Sequence, residues 1–245
     1  MKERGRVTGL FLSLSPARDS KITLLFIFCL LVSKAYCLDF SIPGMELGAA
    51  FKPEYNRSLG FCWDISAFGS LKLNKLAAVK GGLALGMTGP GFDIDTYISG
   101  EVDMPFWSPL SFGLSYIYNG LPGYKTNVHT LLPAFSIKGK WAGITVGPAL
   151  RFTGFDSAVF FEYTLAASAF ANFYNTEKLR IGIRAANFND FSAGNFGSYS
   201  LNLNSLVRFE QISLINEIEL YQSGSSGLTS NFYGIAYKGG ILFTW

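Results

Sequence analysis

The sequence predicts an all-β protein whose antiparallel strands close into a barrel that crosses a membrane. Apolar residues alternate with small or polar ones along most of the chain, only 15% of residues are charged, and the charges avoid the apolar positions. Successive side chains of a β-strand point to opposite faces, so each such segment has one apolar and one polar face. Lipid on one face and a lumen on the other would account for both.

Residues 1–37 have the pattern of a secretory signal peptide. Basic residues precede an apolar run at 22–32, which is shorter than the ~20 residues of a spanning helix and suits the apolar part of a signal. Small residues before the cut predict cleavage after Cys37, giving a signal peptide at 1–37 and a barrel domain at 38–245. A retained anchor and a lipoprotein cleaved before Cys37 are the alternatives.

Cleavage would remove six basic and two acidic residues and leave a nearly neutral chain with Cys62 as its only cysteine. Such a chain has no electrostatic basis for binding nucleic acid and cannot form an internal disulfide. It contains no C-x-x-C motif, His-rich tract or Gly-rich phosphate loop. The sequence therefore assigns no metal and no cofactor.

Twelve alternating segments follow one another, and 58–73 shows the pattern best, with Leu59, Phe61, Trp63 and Ile65 on one face. Ten strands is the alternative, because the first segment is short and Pro133 interrupts the sixth. The predicted strands are 44–51, 58–73, 78–88, 92–104, 109–118, 126–138, 141–153, 157–173, 178–188, 197–209, 211–222 and 228–245.

Every charged residue of these strands lies on the face opposite the apolar one. A lipid-facing Arg or Lys near the bilayer midplane costs roughly 2–4 kcal/mol, so lipid would enforce this exclusion. A soluble sandwich also keeps charge from its core, but it would not extend an apolar face over twelve long strands. An even strand number returns the chain to its starting side, and closure removes edges that lipid could not pair. The longer connections predicted as outer loops are 52–57, 119–125 and 189–196.

The C-terminal strand carries apolar or aromatic residues at alternate positions and ends on an aromatic one: Tyr237, Ile241, Phe243 and Trp245. This pattern resembles the closing strand of small Gram-negative and spirochaete outer-membrane β-barrel proteins. The resemblance implies an outer-membrane location, contact with outer-membrane lipid, and recognition of this strand by the barrel-assembly machinery.

Charged residues on the inward faces are the candidate site. They predict a narrow porin-like channel for small ions or solutes, with the alternative that salt bridges fill and close the lumen. The arginines of strands 178–188 and 197–209 precede the glutamates of strand 211–222, and these arginine and glutamate side chains could form a cluster crosslinked by ion pairs. The candidates for selectivity are Arg180, Arg184, Arg208, Glu217, Glu219, Glu162, Arg151, Asp93 and Asp95.

Other functions fit the sequence less well. A non-conducting structural or adhesin-type barrel, with a host ligand at its outer loops, is the main alternative. The outer-membrane phospholipase family has a His-x-Ser pair on an outward face, but here His129 is followed two residues later by Leu131, so the base has no hydroxyl partner at that spacing. We therefore expect no enzyme activity. The inward charges also argue against transport of apolar solutes.

Overall fold

The computed structural model describes residues 44–88, 91–105, 109–155, 158–193, 198–223 and 231–245. The predicted signal peptide at 1–37 lies outside these residues. Within the described ranges, no helix is both long and apolar enough to cross a membrane.

The chain forms a closed barrel of twelve antiparallel strands, as the sequence predicts. Two further short strands, β10 (Phe188–Asn189) and β11 (Ser192–Ala193), pair only with each other. The barrel strands are β1 (Met45–Asn56), β2 (Gly60–Lys72), β3 (Ala77–Thr88), β4 (Gly91–Asp103), β5 (Leu110–Leu121), β6 (Thr126–Lys138), β7 (Ala142–Phe155), β8 (Ala158–Asn175), β9 (Leu179–Ala186), β12 (Ser198–Phe209), β13 (Ile212–Ser223) and β14 (Asn231–Thr244).

The barrel closes where β1 pairs with β14. Ala49 lies opposite Ile241 in this pair, and the amide of Gly44 donates to the carbonyl of Trp245 at 2.9 Å. Closure gives every barrel strand two hydrogen-bonded neighbours. The barrel therefore has no sheet edge whose backbone N–H and C=O groups would face lipid unpaired. We call the end that carries Gly44 and Trp245 the turn end, and the opposite end, which carries segment 187–193, the loop end.

The outward face is apolar on strand after strand. Phe61 and Tyr163 are 67% and 80% exposed, and Leu203 in the middle of β12 is 47% exposed. No charged residue lies on this face in the barrel strands that the structure describes. An apolar surface of this extent would drive association in water, so hydrocarbon is the environment that fits it.

Two segments predicted as loops are strand. Residues 52–56 extend β1, and residues 119–121 extend β5 to a 3-10 turn at Pro122–Tyr124. Pro53 points outward, where its missing amide interrupts only the ladder to β14, between the pairs Phe51↔Gly239 and Glu54↔Ala236. The pairing with β2 continues on the other side, so the strand does not end at the proline.

Pro133 has the same effect on the sixth strand. The β6–β7 ladder is interrupted between Leu131↔Leu150 and Phe135↔Val146, while the pairing with β5 is continuous. The two backbones approach so closely here that a Cβ on Gly147 would overlap the carbonyl of Pro133. Despite this interruption, β6 spans Thr126–Lys138, which is the range predicted for the sixth strand.

Tyr233 does not lie on the lipid-facing side, where strict alternation would place it. The register between β13 and β14 shifts at Tyr221/Gln222, where Tyr221 opposes Gly234 and Gln222 opposes Phe232. This irregularity leaves Tyr233 unopposed and brings it to the lumen, with its ring 5.9 Å from that of Tyr221.

Candidate functional site in the barrel lumen

A polar cavity of about 350 Å³ lies inside the barrel, in the half nearer the loop end. Inward residues of β1–β4, β9 and β12–β14 form its wall, together with segment 187–193. The basic residues that line it are Lys52, Arg184 and Lys238. The acidic residues that line it are Glu54, Asp64, Asp93, Asp95, Asp190, Glu217 and Glu219.

The cavity lies here because large inward side chains fill the opposite part of the lumen. Tyr97, Ile117 and Leu132, on β4, β5 and β6, form a buried cluster with small residues of β6–β8. On the other side the inward positions Ser66 and Ala84 are small. The lumen therefore has an apolar, packed side along β4–β8 and a polar, open side.

Lys52 is the centre of the polar side. Its Nζ lies 3.1 Å from Glu219 Oε2 and 3.8 Å from Glu54 Oε2, and it donates to the Tyr221 hydroxyl at 2.5 Å. The same hydroxyl lies 2.8 Å from Glu219 Oε2 and 3.1 Å from Glu54 Oε2. Two carboxylates thus share one ammonium group and one hydroxyl, which offsets the cost of burying their charges.

A second group of carboxylates lies beside Lys52 on the neighbouring strands, beginning with Asp64, which is directly opposite Lys52 in the β1–β2 pair. Asp64 on β2 and Asp93 on β4 flank Gly86 of β3 in register. The Asp93 carboxylate leans over Gly86, since a Cβ at that position would overlap its Oδ1. Asp95 accepts a 2.9 Å hydrogen bond from Asn119 Nδ2, which orients it.

Segment 187–193 folds into the lumen, although its Asn- and Asp-rich sequence predicts a surface loop. Phe191 packs edge-on against Tyr97 with centroids 4.8 Å apart, and its carbonyl accepts from Asn119 at 2.6 Å. Phe188 packs on the same apolar cluster and lies under Arg184, whose guanidinium is 5.6 Å from the ring centroid. The segment therefore narrows the barrel from inside.

A separate set of charges lies near the turn end. Glu101 is held by Lys80 at 3.8 Å, by Lys138, and by Ser111, which donates to it at 2.7 Å. Arg208 donates to the carbonyls of Thr176 and Glu177, at 3.5 and 3.2 Å. These contacts tie strands and turns together at this end of the barrel.

The structure brings five of the nine predicted lumen residues to the cavity: Arg184, Glu217, Glu219, Asp93 and Asp95. The predicted crosslinked cluster does not form, because no described ion pair joins Arg180, Arg184 or Arg208 to the two glutamates. Glu219 pairs with Lys52, which strand β1 brings within reach across β14, and Glu217 accepts a 2.6 Å hydrogen bond from Asn202.

The other four lie away from the cavity. Arg180 and Arg208 are inward residues nearer the turn end. Arg151 and Glu162 form a 3.7 Å ion pair between β7 and β8, on the packed side of the lumen. All nine face the interior, and their proposed role in selectivity stays a prediction.

The predicted assembly-signal residues Tyr237, Ile241, Phe243 and Trp245 lie along β14 and its end. The Tyr237 hydroxyl donates to Asn216 Oδ1 at 2.8 Å on the outward face, and the rings of Phe243 and Trp245 are 6.2 Å apart. Their recognition by assembly machinery stays a prediction.

His129 faces outward and its Nδ1 is 2.7 Å from the Tyr116 hydroxyl. The Tyr118 ring packs against its imidazole at 5.2 Å. This arrangement is typical of an aromatic and polar contact near a membrane interface.

Sequence reasoning missed Lys52, Glu54, Asn119 and Tyr221 as site residues. The first two lie in the segment predicted as loop 52–57, and Asn119 lies in the segment predicted as loop 119–125. The signal was present, since Lys52, Glu54 and Asn56 continue the alternation of β1 against Phe51 and Tyr55. Nothing in the sequence pattern predicts the contact between Asn119 and Phe191, because this contact depends on how segment 187–193 folds.

Comparisons with family models and with curated protein sequences find no match. Similar solved structures include the translocator domain of the autotransporter NalP from Neisseria meningitidis, with a TM-score of 0.52, 11% identity, and coverage of 93% of this chain and 98% of that one. The NanC porin gives 0.54 and 7%, covering 81% and 100%. The KdgM porin in complex with disordered oligogalacturonate gives 0.51 and 10%, covering 81% and 99%.

These similarities, at identities of 7–11%, are similarities of fold. They agree with the closed barrel formed by this chain. The chain has the fold of the bacterial outer-membrane β-barrel proteins.

Proposed function

We propose that this protein is an outer-membrane channel for small water-soluble solutes, which move along the polar side of its lumen. The observation that carries the proposal is the cavity, a space of about 350 Å³ inside a closed barrel, lined by charged side chains of both signs. Rings of charged side chains are a common basis of selectivity in pores. The fold is shared with porins, which supports a channel role.

The proposed path is narrow. Phe188, Phe191 and the apolar cluster fill the side of the lumen along β4–β8, so a solute would pass beside β1, β2 and β12–β14. There it would meet Lys52, Arg184 and Glu217 before the charges near the turn end. The inward segment and the apolar cluster reduce the open cross-section of the lumen, which supports small solutes as the class.

The charges also bear on which solutes pass. The KdgM porin was solved with an oligogalacturonate, which is a chain of carboxylate-bearing sugars. Carboxylates outnumber basic groups in the cavity described here. Like charges would repel such a polyanion, so we do not extend that substrate to this chain.

The second candidate function is a non-conducting structural barrel. It is favoured by one observation, the packing of Phe188 and Phe191 on Tyr97, Ile117 and Leu132 inside the barrel. If that packing closes the lumen completely, the protein would stabilise the membrane or present its loops without passing solutes.

Single-channel recording separates the two. The full chain, expressed in a Gram-negative host and purified from the outer membrane in detergent, is added to a planar bilayer in salt solution. We expect discrete conductance steps. Insertion without steps, with the protein recovered folded from the bilayer-forming lipid, would contradict the channel and favour the structural barrel.

A further inference from the structure

We propose that the lumen cavity is a binding site for small organic cations that carry ammonium N–H donors. This deepens the channel proposal by naming its substrate class, and it rests on that proposal only for the passage of the bound cation. The binding itself depends on the cavity alone.

The charge balance of the cavity is the first argument. Seven carboxylates and three basic side chains line it, a formal excess of four negative charges. In a narrow space with low-dielectric walls such an excess raises the local concentration of cations.

The basic groups present do not neutralise the excess. Lys52 is held by Glu219 and Glu54, and Arg184 donates to Ser168 Oγ at 2.9 Å and to the Phe188 carbonyl at 3.3 Å. Lys238 lies 5.4 Å from the centroid of the Phe68 ring. Asp64 lies opposite Lys52 in the β1–β2 pair, but none of Asp64, Asp93, Asp95 and Asp190 is at ion-pair distance from a basic side chain that the structure describes.

An unused acceptor on the cavity wall is the second, independent argument. Asn202 is 5% exposed and lines the cavity, and its Nδ2 donates to Glu217 Oε1 at 2.6 Å. Its Oδ1 accepts no hydrogen bond from the residues described. A buried acceptor without a donor is costly, so a ligand whose N–H group displaces the neighbouring side chains and reaches this oxygen would be stabilised there.

Lys52 shows what kind of group this environment holds. Its ammonium is bound by two carboxylates and a tyrosine hydroxyl, 5.3 Å from the centroid of the Tyr221 ring. Carboxylates and aromatic faces are the usual partners of ammonium groups. The cavity offers a free ligand further carboxylates, those of Asp64, Asp93 and Asp95.

The geometry favours an organic cation over a metal ion. No group of three or more His, Cys, Asp or Glu side chains in the described ranges is arranged to hold a metal. The carboxylates are spread over a cavity of about 350 Å³, at the lower end of the ~300–1,000 Å³ typical of small-molecule pockets. A short diamine could place one donor at Asn202 and the other at the aspartates.

Isothermal titration calorimetry on the detergent-purified full chain tests the proposal with three four-carbon probes: the dication putrescine, neutral 1,4-butanediol and the dianion succinate. We expect saturable binding of putrescine that weakens as salt is raised, and at least tenfold weaker binding of the other two. Equal binding of all three, or none of putrescine, would overturn the proposal.

Two matched substitutions locate the site. The double variant Asp64→Asn/Asp93→Asn keeps side-chain size and should weaken putrescine binding at least tenfold. Asp103→Asn removes an inward carboxylate outside the cavity and should leave binding unchanged. If both variants weaken binding equally, the effect is overall charge and the proposed site is wrong. Resistance of each variant to unfolding in SDS at room temperature confirms that the barrel is intact.

The outcome is separable from that of the channel proposal. Putrescine binding without conductance steps would retain the cation site and reject the channel. Conductance steps without putrescine binding would retain the channel and reject the cation site.

Discussion

At the scale of single residues, Gly147 shows how closely the barrel is packed from inside. It faces the lumen on β7 at the point where Pro133 interrupts the ladder from β6. A Cβ there would overlap the Pro133 carbonyl and come within 2.7 Å of the Ala134 Cα. These are backbone atoms, which cannot move aside as a flexible side chain can. Glycine is therefore required at this position because the backbones of β6 and β7 approach closely, and not because of an unusual φ.

Gly147→Ala should therefore destabilise the barrel by about 1–3 kcal/mol, the usual cost of overpacking. The measurement is urea unfolding in lipid vesicles followed by tryptophan fluorescence. Gly113→Ala is the control, because its Cβ would point into the same lumen and meet no atom closer than 3.6 Å. An equal loss in both variants would show that strand propensity, and not the close approach, sets the cost.

At the scale of elements, the segment that follows β9 decides how open the lumen is. Phe191 inserts between the strand walls, where it contacts Tyr97 and receives a hydrogen bond from Asn119. Asn187 anchors the start of the segment, with its Nδ2 donating to the Leu165 carbonyl at 2.7 Å and its Oδ1 accepting from the Ala167 amide at 2.7 Å. The segment is thus held on β8 as well as on the interior cluster.

Phe191→Ala should increase single-channel conductance, since it removes a large ring from the narrowest part of the proposed path. Phe152→Ala removes an equally large ring from the outward face, where Phe152 is exposed, and should leave conductance unchanged. A Phe191→Ala variant that conducts like the unsubstituted protein would remove this segment from the constriction.

The elements also show how far the sequence alone can lead. Strand number and phase could be predicted, because each outward face is apolar and each charge lies on the other face. The ends of β1 and β5 could not, because Pro53 and the residues after Asn119 resemble loop sequence. The inward fold of 187–193 and the irregularity at Tyr233 depend on contacts between distant strands. The sequence therefore predicts correctly that the charged residues face inward, but the cluster that it predicts between the arginines and the glutamates does not form.

At the scale of the whole molecule, the fold and the proposed function depend on the same division of the strands into two faces. The outer face is apolar along the barrel, while the inner face combines packed apolar residues with the charged cavity. The central claim is that hydrocarbon, and not another protein surface, covers the outer face. Adjacent residues of one strand allow that claim to be tested directly.

Leu203 and Asn204 lie side by side in the middle of β12, with Leu203 outward and Asn204 inward opposite Glu217. The measurement is the free energy of unfolding of Leu203→Arg and Asn204→Arg in lipid vesicles. Leu203→Arg should lose about 2–4 kcal/mol, the cost of a lipid-facing arginine near the midplane. Asn204→Arg should lose much less, because its guanidinium can approach Glu217 in the lumen. Equal losses, or a larger loss for Asn204→Arg, would contradict a lipid-covered outer face.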